Sequence, residues 1–300
     1  MRKFILFIFF LFINFSSIYS QNLNLDQKIQ NSSDRAIAEK LKNNLKNQWN
    51  NTWNIGSAKK LDGDIFLLEV WVTEEGTKWD YTEMCNLQFQ INLAKEWLEK
   101  TAINYGHEVR FQSGSYAGNN YEGIQMKNLP KSYEDASNFP LLLPQAIKKI
   151  GFKDILNCYD YLKDLYNTEN IIVLILINND GWSCTYNYSV KHKEYILNDY
   201  YLENSYIFAS NNGYKTGAKT IAHEILHQFG AWDMYEGQVS KEADLWARSN
   251  YSNEIMLQTS SDLDDLMVSP LTAWLIGLSD EFYEWFWYFI RNENPVLYNK

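Results

Sequence analysis

Continuous apolar runs and regularly spaced apolar residues divide most of the chain into predicted strands and helices. Residues 65–73 and 171–178 are mostly apolar and rich in β-branched side chains, which favours strands. The second run lacks the polar alternation of a half-exposed strand, so we expect it at the centre of a sheet. Shorter runs predict further strands at 107–115, 182–190 and 204–210.

Two segments show the 3.6-residue period of an amphipathic helix. The first begins after Thr82, the expected N-cap, and continues to about residue 104, and the second covers 153–166. Another helix is expected at 270–289, with Ser269 as its N-cap and Pro270 as its first residue. The apolar stripes of the first two helices consist of Leu87, Ile91, Ala94 and Leu98, and of Ile155, Cys158, Leu162 and Leu165.

The order of these elements predicts an α/β (α+β) domain built on a mixed, twisted sheet. Residues 117–152 contain glycines, asparagines and three prolines, and we expect them to be irregular. No internal repeat or low-complexity linker divides 61–300, which is therefore expected to form one domain. A hydrophobic content of 46%, with 16% aromatic residues, is ample for its core.

The first twenty residues have the layout of a secretory signal peptide. Arg2 and Lys3 precede an apolar run at 4–15, and small residues lead to Gln21. The run is short for a membrane span, which needs about 20 residues, and a signal anchor is the alternative. We predict a mature N-terminus at or near Gln21, a secreted or periplasmic location, and no stable membrane insertion after cleavage. Residues 21–60 predict an N-terminal helical segment and a candidate propeptide.

The net charge limits the possible partners of the protein, and the cysteine count limits its possible disulfides. A net charge of −10 repels phosphate, so we expect no nucleic-acid partner. The three cysteines, Cys85, Cys158 and Cys184, leave at least one thiol unpaired, and a Cys158–Cys184 disulfide is one open pairing. Their spacing does not match a metal site.

The sequence TIAHEILHQFGAWDMY, residues 220–235, holds two of the four histidines in the chain. His223 and His227 are four residues apart, so on a helix they share a face and can bind one cation. Glu224 lies between them, where it can hold a water molecule without binding the metal. This H-E-x-x-H arrangement is found in zinc hydrolases.

A catalytic zinc usually has three protein ligands, so this motif needs one more. Gly230 can end the helix and turn the chain sharply, because glycine tolerates a positive φ. The turn would bring Asp233 beneath the metal, and we favour Asp233 as the third ligand. Glu242 and Glu254 are the alternatives. The other histidines, His107 and His192, have no partner at a ligand spacing and are expected to be surface or strand residues.

The stretch 223–233 resembles the extended motif H-E-x-x-H-x-x-G-x-x-H/D of the metzincin metallopeptidases, in the snapalysin-like variant with a terminal Asp. The resemblance implies a metzincin-like catalytic domain with an active-site helix, an edge strand that pairs with substrate, and a C-terminal helical part. It also implies a methionine turn below the zinc. Met256 is preferred for that turn and Met267 is the alternative. Some metzincins have a tyrosine two residues after the methionine, where this chain has Gln258.

The resemblance implies a secreted zinc metalloendopeptidase that acts on a peptide or protein substrate. One Zn²⁺ held by His223, His227 and Asp233 would activate a water molecule, and Glu224 would transfer its proton to the leaving amine. One alternative is an exported binding protein or adhesin on the same fold, which would need no Glu224. Another is a zinc amidohydrolase that acts on non-protein amides. The acidic run at 260–265 lacks a known calcium-loop pattern, so we expect a solvated turn rather than a Ca²⁺ site.

Overall fold

A seven-stranded mixed sheet forms the centre of the fold. The computed structural model describes residues 56–58, 60–118, 120–130, 139–186, 202–257, 261–286 and 289. The strands are β1 (Gly63–Glu74), β2 (Val109–Tyr116), β3 (Ile124–Met126), β4 (Asn170–Asp180), β5 (Cys184–Tyr186), β6 (Glu203–Asn211) and β7 (Tyr214–Lys215).

The main strands lie in the order β2-β1-β4-β6-β5. Neighbours pair in parallel from β2 to β6, whereas β5 is antiparallel to β6. The short β3 and β7 pair with β1 and β6, respectively. Because β4 lies at the centre and is covered on both faces, its residues from Ile171 to Ile177 are all buried.

The helices are α1 (Tyr81–Asn104), α2 (Phe139–Lys149), α3 (Ile155–Tyr166), α4 (Ala218–Gln228), α5 (Lys241–Asn250) and α6 (Pro270–Leu275). Short 3₁₀ turns occur at Leu263–Asp265 and Glu284–Phe286. Side chains alternate across β1, so Phe66, Leu68 and Val70 join one core cluster with residues of α2 and α3. Glu69, on the opposite face of β1, accepts a hydrogen bond from Gln88 of α1. The sheet therefore lies between α2 and α3 on one side and α1 and α4 on the other.

The long helix α1 forms where the sequence predicts it, with one difference at its start. Asp80, rather than Thr82, is the N-cap, and its carboxylate accepts hydrogen bonds from the backbone N–H groups of Thr82 and Glu83. A capping side chain must precede the first helical turn, and Asp80 satisfies two of the free backbone N–H groups of that turn. All four residues of the predicted stripe are buried, which confirms the face: Leu87, Ile91, Ala94 and Leu98.

The prediction that 117–152 is irregular is wrong, because this stretch contains β3 and α2. The prolines there led to the error, since Pro144 lies inside α2 and lacks the N–H of a helical residue. Burial of the apolar face of α2 in the main core outweighs that loss. The buried residues on this face are Leu142, Leu143, Ala146 and Ile147.

The C-terminal helix is shorter than predicted. Ser269 caps α6 and Pro270 begins it, as expected, but the helix ends at Leu275. Gly277 then takes a φ of +82°, a conformation that ends helices and that glycine adopts without strain. In α3, Cys158 and Leu162 of the predicted stripe are buried, whereas Leu165 is exposed. The predicted signal peptide, most of segment 21–60, His192 and Gln258 lie outside the described residues.

The residues just before β1 are part of the folded structure. The buried Ser57 accepts a hydrogen bond at its backbone oxygen from Ile171 N, at 2.9 Å. Its side-chain Oγ accepts another from Glu203 N, also at 2.9 Å. Ser57 thus satisfies backbone donors at the starts of both β4 and β6. Nearby, Leu61 N donates to Ile276 O, just after α6.

Candidate metal centre

Helix α4 is buried along most of its length and presents its two histidines on one side. Ile221, Ala222, Ile225 and Leu226 are fully buried. The helix ends at Gln228, and Gly230 follows with a φ of +99°. Its N–H donates to His227 O, and Ala231 N donates to Leu226 O, so the free carbonyls of the last turn are satisfied. The chain then reverses toward the helix, as the glycine predicted.

The reversal brings Asp233 to both histidines. Its Oδ1 lies 3.2 Å from His223 Nε2 and 3.3 Å from His227 Nε2, and the two Nε2 atoms are 3.1 Å apart. Within the described part of the chain, these three residues are the one group of potential ligands whose atoms lie within 4.8 Å of one another. The predicted trio therefore meets at a single point.

Hydrogen bonds at the opposite side of each imidazole define which nitrogen carries the proton. His223 Nδ1 lies 3.0 Å from Ile255 O, and His227 Nδ1 lies 2.8 Å from Ala231 O. A carbonyl only accepts hydrogen bonds, so each Nδ1 is the N–H donor, and in its neutral form each ring has its lone pair on Nε2. Two lone pairs and a carboxylate oxygen then face one another, and Asp233 Oδ1 is buried without a hydrogen-bond donor. Such a set fits a metal cation.

The same contacts shift the pKa values of this group. Burial alone lowers the pKa of His227, but the Asp233 carboxylate outweighs it and raises that pKa to about 9. Burial alone raises the pKa of Asp233, but the two imidazoles outweigh it and hold that pKa well below its usual range. In the metal-free site, the raised pKa means that His227 takes up a proton on Nε2 beside Asp233, and a metal cation would displace that proton to gain the neutral imidazole as a ligand.

The two alternative ligands lie elsewhere. Glu242 is exposed in the first turn of α5. Glu254 is fully buried, but its carboxylate accepts hydrogen bonds from Met256 N and Ser269 N and from the Thr272 hydroxyl. Burial raises the pKa of Glu254. Glu254 thus joins the turn at 254–257 to α6 rather than to the histidines.

Met256 lies in a turn that contacts the metal centre through its backbone. Its carbonyl accepts a hydrogen bond from Met234 N, next to Asp233, and its neighbour Ile255 holds the ring of His223. The Met256 side chain is fully buried. Met267 is only half-buried and pairs through its backbone with Asn253 and Ile255. These contacts favour Met256 over Met267 as the methionine next to the site.

Glu224 is buried beside the two histidines and is held by a group of hydroxyls. Thr185 Oγ1, from β5, lies 2.7 Å from Glu224 Oε2. Thr185 Oγ1 also lies 2.7 Å from Ser205 Oγ on β6. Ser205 Oγ in turn accepts a hydrogen bond from Gln228 Nε2 at 2.7 Å. The sequence offered no signal for Thr185 or Ser205, which come from strands outside the motif. Gln228 directly follows His227, but its sequence position gives no sign of this contact.

The centre lies in an open cleft of about 930 Å³. Edge strand β5 contributes Cys184 and Thr185 to one wall, and β7 contributes Tyr214 and Lys215. Trp182, half-exposed, lies directly before β5. Strand β5 is the last in the strand order, so within the described residues no strand pairs with its outer edge.

Other predicted features do not join the centre. His107 lies 3.1 Å from Asp62, at the surface. All three cysteines are free, so the Cys158–Cys184 disulfide is absent. In the acidic run, Asp264 and Asp265 are exposed in a 3₁₀ turn. Among the described residues, no helix has the length and apolar character to cross a membrane.

Comparisons with known proteins identify no family. The chain matches no protein-family model and no curated protein. Among solved structures, it is similar to a chain from "Structure of a chaperone-substrate complex", with 13% sequence identity and a TM-score of 0.32. That match covers 60% of this chain and 25% of the solved chain. Likeness at this level supports no inference about function.

Proposed function

We propose that this protein is a zinc-dependent endopeptidase. The proposal depends on the convergence of His223 Nε2, His227 Nε2 and Asp233 Oδ1, three potential ligand atoms that lie 3.1–3.3 Å from one another. Two imidazoles and one carboxylate are a ligand set that suits zinc, and three protein ligands are the number in catalytic zinc sites. When bound, zinc supplies Lewis-acid chemistry that makes water more acidic and a carbonyl more electrophilic.

Glu224 is the general base and acid in this proposal. Thr185 occupies its Oε2 at 2.7 Å, so Oε1 is the oxygen that takes a proton from the attacking water. The same carboxyl then delivers this proton to the nitrogen of the leaving amine, which completes hydrolysis. Glu224 is not needed to bind a metal, so its buried position next to both ligands favours an enzyme over a binding protein.

The shape of the cleft favours an extended peptide as substrate. The outer edge of β5 presents backbone N–H and C=O groups beside the centre, and an extended chain can pair with such an edge as an additional strand. This pairing would use the backbone common to all peptides. Export through residues 1–20 would bring the enzyme to extracellular or periplasmic proteins.

The test combines metal analysis with a peptide-library digest of the purified protein. We expect one zinc per chain, cleavage of internal peptide bonds, and loss of cleavage in a chelator. Glu224→Gln should keep the zinc and lose at least about a hundredfold in turnover, the scale of losing a general base. Glu242→Gln, at an exposed glutamate, is the matched control and should keep full activity. A wild-type protein that binds zinc and cleaves no peptide would overturn the proposal.

A further inference from the structure

The hydroxyl and amide groups around Glu224 form a continuous chain that begins at the central strand. Val173 N, in β4, donates to Gln228 Oε1 at 3.2 Å, and Gln228 Nε2 donates back to Val173 O at 3.1 Å. These two bonds fix which side of the amide is oxygen and which is nitrogen. The second proton of Nε2 is then directed at Ser205 Oγ, 2.7 Å away.

The proton positions further along this chain follow from the acceptors. Ser205 accepts from Gln228, so its own proton goes to Thr185 Oγ1 at 2.7 Å or to Glu224 O at 3.1 Å. Thr185 has a single proton and two acceptors of Glu224 within reach, the backbone oxygen at 2.9 Å and Oε2 at 2.7 Å. The carboxylate form of Glu224, which is the form that can act as a base, has no proton to donate. If Thr185 donated elsewhere, two acceptors would face each other at 2.7 Å. Thr185 therefore donates to Glu224 Oε2, in a charge-assisted hydrogen bond.

From this arrangement we propose that Thr185 is a positioning residue for Glu224, fixed by a hydrogen-bond chain that runs from Val173 through Gln228 and Ser205. Ser205 and Gln228 are both fully buried, so water does not compete for these bonds. The inference rests on the proposed function in taking Glu224 as the base. It adds a role for three residues outside the metal ligands.

The position of Thr185 on β5 gives this chain a second consequence. Its backbone belongs to the edge strand that lines the cleft, and its side chain holds Glu224 on α4. A β-branched side chain has restricted χ1 in a strand, so its hydroxyl stays directed at the helix. The substrate-side strand and the general base are thus held at a fixed distance from each other, which is the geometry that proton transfer requires.

The kinetic test uses Thr185→Val, which keeps the shape and removes the hydroxyl. We expect kcat to fall roughly tenfold to a hundredfold, the range for losing a hydrogen bond to a charged group. KM should change less than about twofold, because only the chemical step is affected. Thr185→Ser restores the hydroxyl and should recover most of kcat. Zinc content should stay at one per chain in both variants.

Thr168→Val is the matched control. Thr168 lies outside the residues that line the cleft, and its hydroxyl donates to the backbone oxygen of Asp64 at 2.5 Å. This variant also removes one partly buried threonine hydroxyl, so we expect lower stability with unchanged kcat. Equal losses of kcat in Thr185→Val and Thr168→Val, or no recovery in Thr185→Ser, would overturn the inference.

A stability cycle tests the same bond without any activity. Denaturant midpoints are measured for the wild type, Thr185→Val, Glu224→Ala and the double variant. We expect Thr185→Val to shift the midpoint less when Glu224 is already Ala, because the side-chain bond is then absent. Additive shifts would overturn the inference. If the wild type cleaves no peptide, the proposed function fails, whereas this cycle still decides whether Thr185 holds Glu224.

Discussion

Asp233 contributes the one carboxylate of the candidate metal centre, and its position depends on a short stretch of chain. It lies five residues beyond the end of α4, and its Oδ1 is buried between two imidazole nitrogens. Met234, the next residue, is tied by its N–H to Met256 O. That backbone bond limits how far Asp233 can move, so the carboxylate is held in place before a metal binds.

Asp233→Ala should therefore remove most of the metal affinity. Loss of a direct ligand should exceed the roughly 10–100-fold typical of losing an outer partner. Asp233→His should keep the metal, because imidazole is also a zinc ligand. Metal stoichiometry and competition with a chelator measure both effects.

The control for this prediction is Asp244→Ala, at another buried and paired aspartate. Asp244 bonds to Arg248 at 2.8 Å, away from the histidines, so its loss should lower stability and leave the metal bound. The prediction is wrong if Asp233→Ala still binds one metal per chain while Glu242→Ala or Glu254→Ala does not. That outcome would place the third ligand on a later segment.

At the scale of single residues, the sequence predicts which site residues lie close to the motif, but it does not predict the site residues that are distant in the chain. The convergence of His223, His227 and Asp233 follows from local spacing, because a helix and one glycine turn connect them. Thr185 and Ser205 reach Glu224 from 39 and 19 residues away. Their contacts depend on strand order and register, which a single sequence does not encode in any short pattern.

At the scale of the element, the end of α4 determines whether the metal centre can form. Gly230 has a φ of +99°, a region that residues with a Cβ seldom adopt. Two backbone bonds close the last helical turn here, from Gly230 N to His227 O and from Ala231 N to Leu226 O. If the helix continued past Gln228, the chain would run away from the histidines.

Gly230→Val should lower both stability and metal affinity without removing a ligand. A left-handed conformation costs a residue with a Cβ about 1–2 kcal/mol, and relief of that strain would displace Asp233. Thermal unfolding measures the first effect and metal titration the second.

Gly151→Val supplies the comparison, since Gly151 has a φ of +104°, has open space around it and follows α2. It should lose similar stability and keep its metal affinity. Equal metal affinity in the two variants would show that the turn at Gly230 does not position Asp233.

Elements were predictable where one strong pattern dominated. The continuous apolar run of β4 and the periodic face of α1 give their location and burial correctly. Helix α2 is not predictable in this way, because its prolines indicate a break and the burial that stabilises it involves distant residues. The predicted C-terminal helix is too long because the apolar stretch continues past Gly277, where the backbone is left-handed.

At the scale of the whole molecule, packing leaves the three thiols in different environments. Cys85 is exposed on α1. Burial raises the pKa of Cys158 to about 12. Burial also raises the pKa of Cys184, with a smaller contribution from the negative charge of Glu224. Since only the thiolate reacts quickly, the fold should protect two thiols of three.

We therefore expect iodoacetamide at about pH 8, near the ordinary thiol pKa, to modify one thiol per native chain and three per denatured chain. The raised pKa values of Cys158 and Cys184 lower their reactivity, because at a pH far below its pKa a thiol stays protonated and unreactive. Intact-mass measurement counts the modifications, and Cys85→Ser should reduce the native count to zero. Rapid native modification of Cys184 would contradict the prediction. Two unreactive thiols after denaturation without reductant would indicate a disulfide.

The hydrogen bonds of Ser57 constrain how a precursor could be trimmed. Its backbone oxygen and its Oγ satisfy donors at the starts of β4 and β6, the strands that carry Val173 and Ser205. Removal of all of 21–60 would leave two buried N–H groups without acceptors, at a cost of about 1–3 kcal/mol for each group. It would do so in the strands that support Glu224. If 21–60 is a propeptide, we therefore expect the maturation cut to fall before Ser57, so that the mature N-terminal sequence retains this residue.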